Sequence, residues 1–269
     1  MSDQSRVLTS ETDDALAELA RRHVAICGRE DGACEHELTS AQGRKVALVA
    51  DPSGVAWWSA ARTLLVADLH LEKGTSFARR GQLLPPYDTQ ITLDRLAAAV
   101  EKWRPARVIA LGDSFHDDNG AGRLTLPARH AIGEMQRGRE WIWITGNHDP
   151  SSPARGGPGG LAGESASEVA EGGLVLRHEP RVGETPDEPT GEIAGHLHPR
   201  AGLTVRGKHI RRPCFAASDT RMILPSFGAY TAGLSVFHRA FRGLFPGRRF
   251  CALIRSEKQV FKVSASKLS

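Results

Sequence analysis

Five short apolar runs in this chain are each followed directly by a polar motif, and this pairing constrains the fold more than any other feature. The runs cover residues 63–67, 107–111, 141–145, 174–177 and 192–194. Runs of this length and composition are typical of buried strands. Polar residues at the carboxyl ends of strands in an open α/β sheet meet in one crevice. We therefore expect a single pocket built from Asp68-Leu69-His70, Gly112-Asp113, Gly146-Asn147-His148-Asp149, His178 and Gly195-His196-Leu197-His198.

The side chains in these motifs are carboxylates, an amide and imidazoles, and together they supply enough donors for two metal ions. Such donors suit manganese, iron, zinc or magnesium. No thiolate accompanies them, which argues against copper and iron-sulfur sites. A single histidine is more often a structural residue than a ligand, but histidines that repeatedly follow strands favour metal binding.

In their order along the chain and in their residue types, the motifs resemble those of the calcineurin-like metallophosphoesterase superfamily. Other segments, between about residues 36 and 235, are similar to its branch of ligase-associated DNA damage response endonucleases. These segments are residues 69–74, 85–88, 112–117, 196–199, 212–215 and 224–230. The resemblance implies an α/β fold, namely a four-layer α/β/β/α metallophosphoesterase sandwich with two mixed β-sheets.

The resemblance also implies two divalent metal ions, with manganese favoured over iron, zinc or magnesium. One ion would be held by Asp68, His70 and His198, and the other by Asn147, His178 and His196, with Asp113 as the bridging ligand. Two ions about 3.5–4 Å apart lower the pKa of a bridging water and hold the oxygens of a phosphoryl group. The expected reaction is phosphodiester hydrolysis by in-line attack of the hydroxide that bridges the metals.

Three further residues are candidates for catalysis. In the family's arrangement His148 would face substrate and protonate the leaving group or stabilise charge on phosphorus, with Asp149 as its orienting partner. Many relatives carry an Asp three residues after the bridging Asp, whereas this chain has His116. His116 and Asp117 therefore have two interpretations: they face the substrate and favour diester chemistry, or they fasten the loop that follows.

Basic side chains supply candidates for substrate binding. Lys73 and Arg80 follow the first motif, where they either contact phosphate oxygens or remain solvated surface charges. Residues 200–269 contain 14 Lys and Arg against 2 Asp and Glu, whereas residues 1–199 contain 21 against 29. This basic segment, including Arg211 and Arg212, either follows a polyanionic backbone or only aids solubility. Phenylalanines interleave with these cations, and we expect most of their rings in the core.

The resemblance implies a DNA endonuclease that acts on single-stranded or flapped DNA during repair. An ATP-dependent DNA ligase and a helicase would then be functional associates, without implied physical contact. A small-molecule phosphodiesterase or lipid-linked pyrophosphatase is the enzymatic alternative. A nucleic-acid-binding scaffold that keeps metal only for stability is the alternative from another class.

We expect one catalytic domain with a basic C-terminal segment over residues 36–269, preceded by an N-terminal appendage, residues 1–35. The chain shows no signal peptide and no apolar stretch of about 18 residues, which predicts a cytoplasmic protein without membrane contact. Scattered cysteines predict reduced thiols. The oligomeric state stays open, with a homodimer as one option.

Helical spacing predicts helices at residues 88–103, with Asp88-Thr89 as the cap, and 127–136. Residues 151–173 and 182–191 are rich in Gly, Ser, Pro or acidic residues, which predicts loops.

Overall fold

A computed structural model describes residues 25–26, 29–149, 156–182, 191–205 and 208–269. Its α-helices are α1 (Lys73–Arg79), α2 (Asp88–Trp103), α3 (Gly120–Arg123) and α4 (Leu126–Gln136). Its strands are β1 (Ala25–Ile26), β2 (Cys34–Thr39), β3 (Lys45–Ala50), β4 (Ala56–Trp58), β5 (Thr63–Val66), β6 (Arg107–Leu111), β7 (Glu140–Ile144), β8 (Glu164–Ala166), β9 (Glu168–Glu171), β10 (Leu174–Arg177), β11 (Gly191–Ala194), β12 (Arg200–Val205), β13 (Lys208–Ala217), β14 (Arg221–Ile223), β15 (Cys251–Arg255) and β16 (Val260–Ser264). The five apolar runs are thus strands, as the sequence predicts.

These strands form two sheets. The first has the order β2-β3-β4-β5-β6-β7-β8, and the second has the order β1-β16-β15-β13-β14-β11-β10-β9, with β12 paired to β13. Strands β5 to β8 run parallel, whereas β2 to β5 form an antiparallel meander. In the second sheet β10 and β11 are parallel, and β15 and β16 are antiparallel. Both sheets are therefore mixed, as predicted.

The main core lies between the two sheets. Leu65 and Ile109 of the first sheet belong to the same buried cluster as Leu176, Ile193 and Phe215 of the second. A second cluster covers the outer face of the first sheet, where α2 and α4 pack. A third cluster covers the outer face of the second sheet, where residues 234–250 contribute short 3₁₀ helices rather than long helices. The layered α/β sandwich is thus confirmed.

The two predicted long helices are present. Helix α4 begins after Thr125, whose hydroxyl accepts a hydrogen bond from the amide of Ala128, as an N-cap should. Helix α2 begins after Tyr87 without a side-chain cap. Asp88 lies inside its first turn, where its carboxylate accepts from the amide of Gly74. The capping role expected for Asp88 is therefore wrong, because the side chain ties α1 to α2 instead.

Three other expectations need correction or stay untested. Residues 158–171 are not one loop, because they contain a 3₁₀ helix, Pro158–Gly160, and the edge strands β8 and β9. Cys34 is disulfide-bonded, so the expectation of reduced thiols is wrong there, although Cys214 and Cys251 are free.

Ala25–Ile26 pairs with β16, whereas residues 1–24, 150–155 and 183–190 lie outside the described residues. No described helix is long and apolar enough to cross a bilayer.

Candidate metal centre

The polar motifs meet at the carboxyl ends of parallel strands that belong to the two sheets. Strands β5, β6 and β7 are parallel neighbours in one sheet, and β10 and β11 are parallel neighbours in the other. All five therefore deliver the residues that follow them to the same edge. There the side chains form two clusters, Asp68 with His70 and His198, and Asp113 with His178 and His196, in which the ligand atoms lie within 4.8 Å of one another.

The first cluster is compact and largely buried. Nε2 of His198 lies 3.2 Å from Oδ1 of Asp68, and 3.3 Å from Nε2 of His70. Nε2 of His70 lies 3.9 Å from Oδ2 of Asp113, which belongs to the second cluster.

The second cluster forms around His178. Its Nε2 lies 3.0 Å from Oδ1 of Asn147, 3.1 Å from Nδ1 of His196 and 3.4 Å from Oδ1 of Asp113. One oxygen of Asp113 thus faces His178, and the other faces His70. The carboxylate lies between the two clusters, which is where a bridging ligand is needed.

The nitrogen and oxygen atoms of the two clusters are suited to coordinate cations. Nδ1 of His178 is 2.9 Å from the carbonyl oxygen of Leu111, and Nδ1 of His198 is 3.1 Å from that of Ala232. A carbonyl only accepts hydrogen bonds, so Nδ1 carries the proton in both rings, and a neutral ring leaves a lone pair on Nε2. In His178 this lone pair points at Oδ1 of Asn147, which is also an acceptor. A divalent cation there would turn this repulsion into coordination.

Burial and neighbouring charges favour neutral rings at two positions. Burial, with a contribution from His198, lowers the pKa of His70 to about 2. Burial and then His178 lower the pKa of His196. Burial also acts to lower the pKa of His198, but its hydrogen bond and attraction to Asp68 outweigh this effect and raise the pKa. Neutral imidazole is the form that binds metal.

The backbone at the motifs is strained. Asp68, His70, Asp113, His196 and His198 all have φ between 43° and 68°. Left-handed conformations are unfavourable for such residues and collect at functional sites, where surrounding structure enforces them.

Two motif glycines are required by close approach. A Cβ on Gly112, whose φ is 80°, would lie 2.4 Å from Nδ1 of His178. A Cβ on Gly146 would lie 2.2 Å from Oδ1 of Asp113. Each glycine thus makes room for a metal-binding side chain from a different strand.

His148 lies beside the clusters without joining either one. Its Nε2 is 4.0 Å from Oδ2 of Asp113, and its side chain is 47% exposed. Its ring stacks on that of His116, with centroids 5.8 Å apart and an interplanar angle of 10°, and His116 in turn contacts Phe77. Burial, with Lys73 nearby, lowers the pKa of His116 to about 4. A neutral His116 therefore supports the ring of His148.

Asp149 has a different role from the expected one. Its carboxylate accepts hydrogen bonds from the amides of Phe115, at 3.1 Å, and Gly146, at 2.9 Å. These contacts hold the loop after β7 against the loop after β6. They do not match a direct orienting contact with the His148 ring.

Asp117 fastens a loop, as one interpretation of the sequence proposes. Its two carboxylate oxygens accept from the guanidinium of Arg123, both at 2.8 Å. Burial acts to raise its pKa, but the hydrogen bonds from Arg123 and Ser76 lower it to about 2. This ion pair secures the segment that carries His116.

An open cleft of about 700 Å³ borders His148 and Asn147. Arg80, a predicted substrate ligand, lines it, together with Arg79, Phe77 and Asn119, which the sequence analysis did not single out. Phe77 and Arg79 lie on α1, a helix that the sequence analysis did not predict, and Asn119 directly precedes α3.

The other predicted substrate ligands lie outside the residues that line this cleft. Nζ of Lys73 donates to the carbonyl of Tyr230 at 3.1 Å. Arg211 and Arg212 lie on β13 of the hairpin that begins two residues after His198. There they crowd Arg200, whose pKa is lowered by burial and then by these two cations.

Comparison with known proteins finds similar chains among solved structures. No family model matches the chain, and no curated protein matches it. Among solved structures, the crystal structure of Pseudomonas putida nuclease MPE is similar to this chain, with 26% sequence identity and a TM-score of 0.62. The match covers 85% of this chain and 100% of that chain. The chain therefore shares its fold with a nuclease. In this chain the fold brings together two clusters that could hold metal ions.

Proposed function

We propose that this protein is a two-metal phosphodiesterase that cleaves DNA. The observation that carries the proposal is the position of Asp113, whose two oxygens face two separate clusters of metal-binding side chains. Two divalent ions held there would lower the pKa of water and neutralise charge on a phosphoryl group. The similarity to a nuclease supports the same class of reaction.

The chain's own residues supply the other requirements of the reaction. His148 is exposed on the cleft side and close to Asp113, so its Nε2 can donate a proton to the leaving oxygen or a hydrogen bond to the phosphoryl group. The stacked His116 restricts the orientation of that ring. Asp149 fixes the loop that carries it.

Nucleic acid is the proposed substrate because the cleft beside His148 is open and has two arginines in its lining. Arg79 and Arg80 line one part of it, and guanidinium groups pair well with phosphate oxygens. An open cleft lets a long strand pass, which a small diester does not need.

The finer assignments are part of the proposal and come from the resemblance of the motifs. They are manganese as the metal, single-stranded or flapped DNA as the substrate, endonucleolytic cleavage, a cytoplasmic role in DNA repair, and functional association with an ATP-dependent DNA ligase and a helicase. The same resemblance carries the separate assignment of the seven ligands to two ions.

The test is manganese-dependent cleavage of circular single-stranded DNA alongside hydrolysis of bis-p-nitrophenyl phosphate. Wild type should act on both substrates, and His148→Ala should lose activity on both. His130→Ala is the matched control, because His130 is an exposed histidine on α4 whose Nε2 lies 3.5 Å from Oε1 of Glu134. Intact circles with hydrolysis of the small diester would redirect the proposal to end processing or small-molecule chemistry. Activity retained in His148→Ala would remove that residue from the mechanism.

A further inference from the structure

A second cleft, of about 650 Å³, lies in the segment after β14. We call it the Phe237 cleft. Its lining includes Phe237, Arg239, Arg242, Arg248 and Phe250. Three of these are arginines, and none of the described residues that line it is acidic. The cleft is therefore suited to an anionic ligand.

The aromatic rings of the cleft differ in exposure. Phe241, Phe245 and Phe250 are buried and form its floor, whereas 37% of Phe237 is exposed. The guanidinium carbon of Arg248 lies 5.3 Å from the centre of the Phe237 ring. An exposed ring beside guanidinium groups is the combination that binds single-stranded nucleic acid, because bases stack on the ring while phosphates pair with the cations.

Backbone contacts connect the cleft to the metal centre. The carbonyl of Ala232 accepts from Nδ1 of His198. Two residues farther on, the carbonyl of Leu234 accepts from the amide of Arg200, and the amide of Val236 donates back to the carbonyl of Arg200. Only five peptide units separate Ala232 from Phe237, a span of at most about 17 Å. A strand bound at both places would cover that distance with a few nucleotides.

We propose that the Phe237 cleft binds the single-stranded flank of the nucleic acid substrate, with one base stacked on Phe237 and adjacent phosphates paired with Arg239 and Arg242. This proposal rests on the proposed function, and it adds a substrate contact outside the cleft beside His148. An acidic peptide would use the same cations, but it would gain nothing from the exposed ring. Stacking on Phe237 is therefore the discriminating feature.

The experiment compares wild type with Phe237→Ala and with the double variant Arg239→Gln/Arg242→Gln. Binding is measured by fluorescence anisotropy in chelator, with oligothymidylates of about 4 and about 16 nucleotides. Each variant should bind the long strand about tenfold more weakly. The ratio of manganese-dependent cleavage of the long strand to hydrolysis of bis-p-nitrophenyl phosphate should fall by a similar factor. Unchanged affinity and an unchanged ratio in Phe237→Ala would overturn the proposal.

The matched control is Arg44→Gln/Arg104→Gln. It removes two exposed arginines near the amino ends of strands, whereas the two clusters lie at carboxyl ends. Arg44 precedes β3, and Arg104 precedes β6. The control should keep wild-type affinity for the long strand. A loss equal to that of Arg239→Gln/Arg242→Gln would show a general charge effect and overturn the assignment of the cleft.

A strand with abasic sites separates stacking from charge. Removing the base that stacks should weaken binding to wild type but not to Phe237→Ala. If polyglutamate competes as well as the strand and Phe237→Ala has no effect on either, the occupant is an acidic peptide and the proposal fails. If wild type hydrolyses no diester at all, the proposed function fails, and the anisotropy measurements still decide whether the cleft binds the strand.

Discussion

The backbone amide of His148 donates a hydrogen bond of 2.9 Å to Oδ1 of Asp113. The carboxylate that faces both metal-binding clusters therefore also positions the residue proposed as proton donor. The contact joins the loop after β7 to the loop after β6. The positions of His148 and of the two clusters therefore depend on each other. A change in Asp113 should affect both.

Replacing Asp113 by Asn should reduce phosphodiester hydrolysis by at least about 100-fold. Asparagine keeps an oxygen that can accept from His148, but it removes the negative charge between the clusters. Hydrolysis of bis-p-nitrophenyl phosphate and metal content after dialysis measure the effect. Asp94→Asn, at an exposed position of α2, is the control. Wild-type metal content together with wild-type turnover in Asp113→Asn would contradict a bridging role.

Removing divalent metal should lower the melting temperature. Without a cation Nε2 of His178 faces Oδ1 of Asn147, which is another acceptor, and a ligand that binds only the folded state stabilises it by mass action. Thermal unfolding in chelator and across a manganese titration gives the comparison. A melting temperature that does not depend on metal would show that the clusters bind none under these conditions.

Gly112→Ala should destabilise the protein by at least about 2 kcal/mol, because the new Cβ collides with the His178 ring at a backbone conformation that alanine disfavours. Gly133→Ala, within α4 and with nothing within 4 Å of its added Cβ, is the matched control. The control should stabilise by about 0.5–1 kcal/mol. Urea unfolding measures both, and equal effects of the two substitutions would refute the steric argument.

Asp117→Asn should cost stability in a pH-dependent way. The pKa of Asp117 is depressed from 3.8 to about 2 by Arg123 and Ser76, against the opposing effect of burial. A depressed pKa stabilises the fold above the unfolded value, and this contribution disappears as pH falls from about 4 to about 2. We expect a loss of about 1 kcal/mol at pH 7, discounted for partial exposure.

The measurement for Asp117 is denaturant unfolding of wild type and variant at several pH values. The difference between them should shrink in the acid range. Asp118→Asn, at the exposed neighbouring position, should show no such trend. A difference that stays constant down to pH 2 would contradict the ion pair with Arg123.

Arg211→Gln/Arg212→Gln should flatten the dependence of single-stranded DNA affinity on salt. Both cations lie near Arg200 and lower its pKa, after the larger effect of burial, so positive charge is concentrated there. If both contact phosphates, the slope of log affinity against log salt should become shallower by about 1.4 units, about 0.7 for each contact with a single strand. The Arg44→Gln/Arg104→Gln variant serves again as control. An unchanged slope would exclude the pair from the binding surface.

The sequence by itself determined which polar residues lie at the ends of the five strands. Each motif follows an apolar run that is stable as a buried strand. Asp68, Asp113 and His178 therefore lie at strand ends, and this does not depend on how the two sheets pack. Local information is sufficient for this because the alternative places apolar side chains in water. The helices α2 and α4 follow from the same kind of periodicity.

Tertiary structure decided the remaining features, because they depend on partners far apart in sequence. Strands β8 and β9 have no apolar run, and they exist through backbone hydrogen bonds to β7 and β10. Asp149 lies beside His148 in the chain, yet its partner Phe115 is 34 residues away. Phe237 is 37% exposed because the buried rings of Phe241, Phe245 and Phe250 occupy the neighbouring core. The sequence thus determined the donors of the site, and folding decided which groups hold, support and surround them.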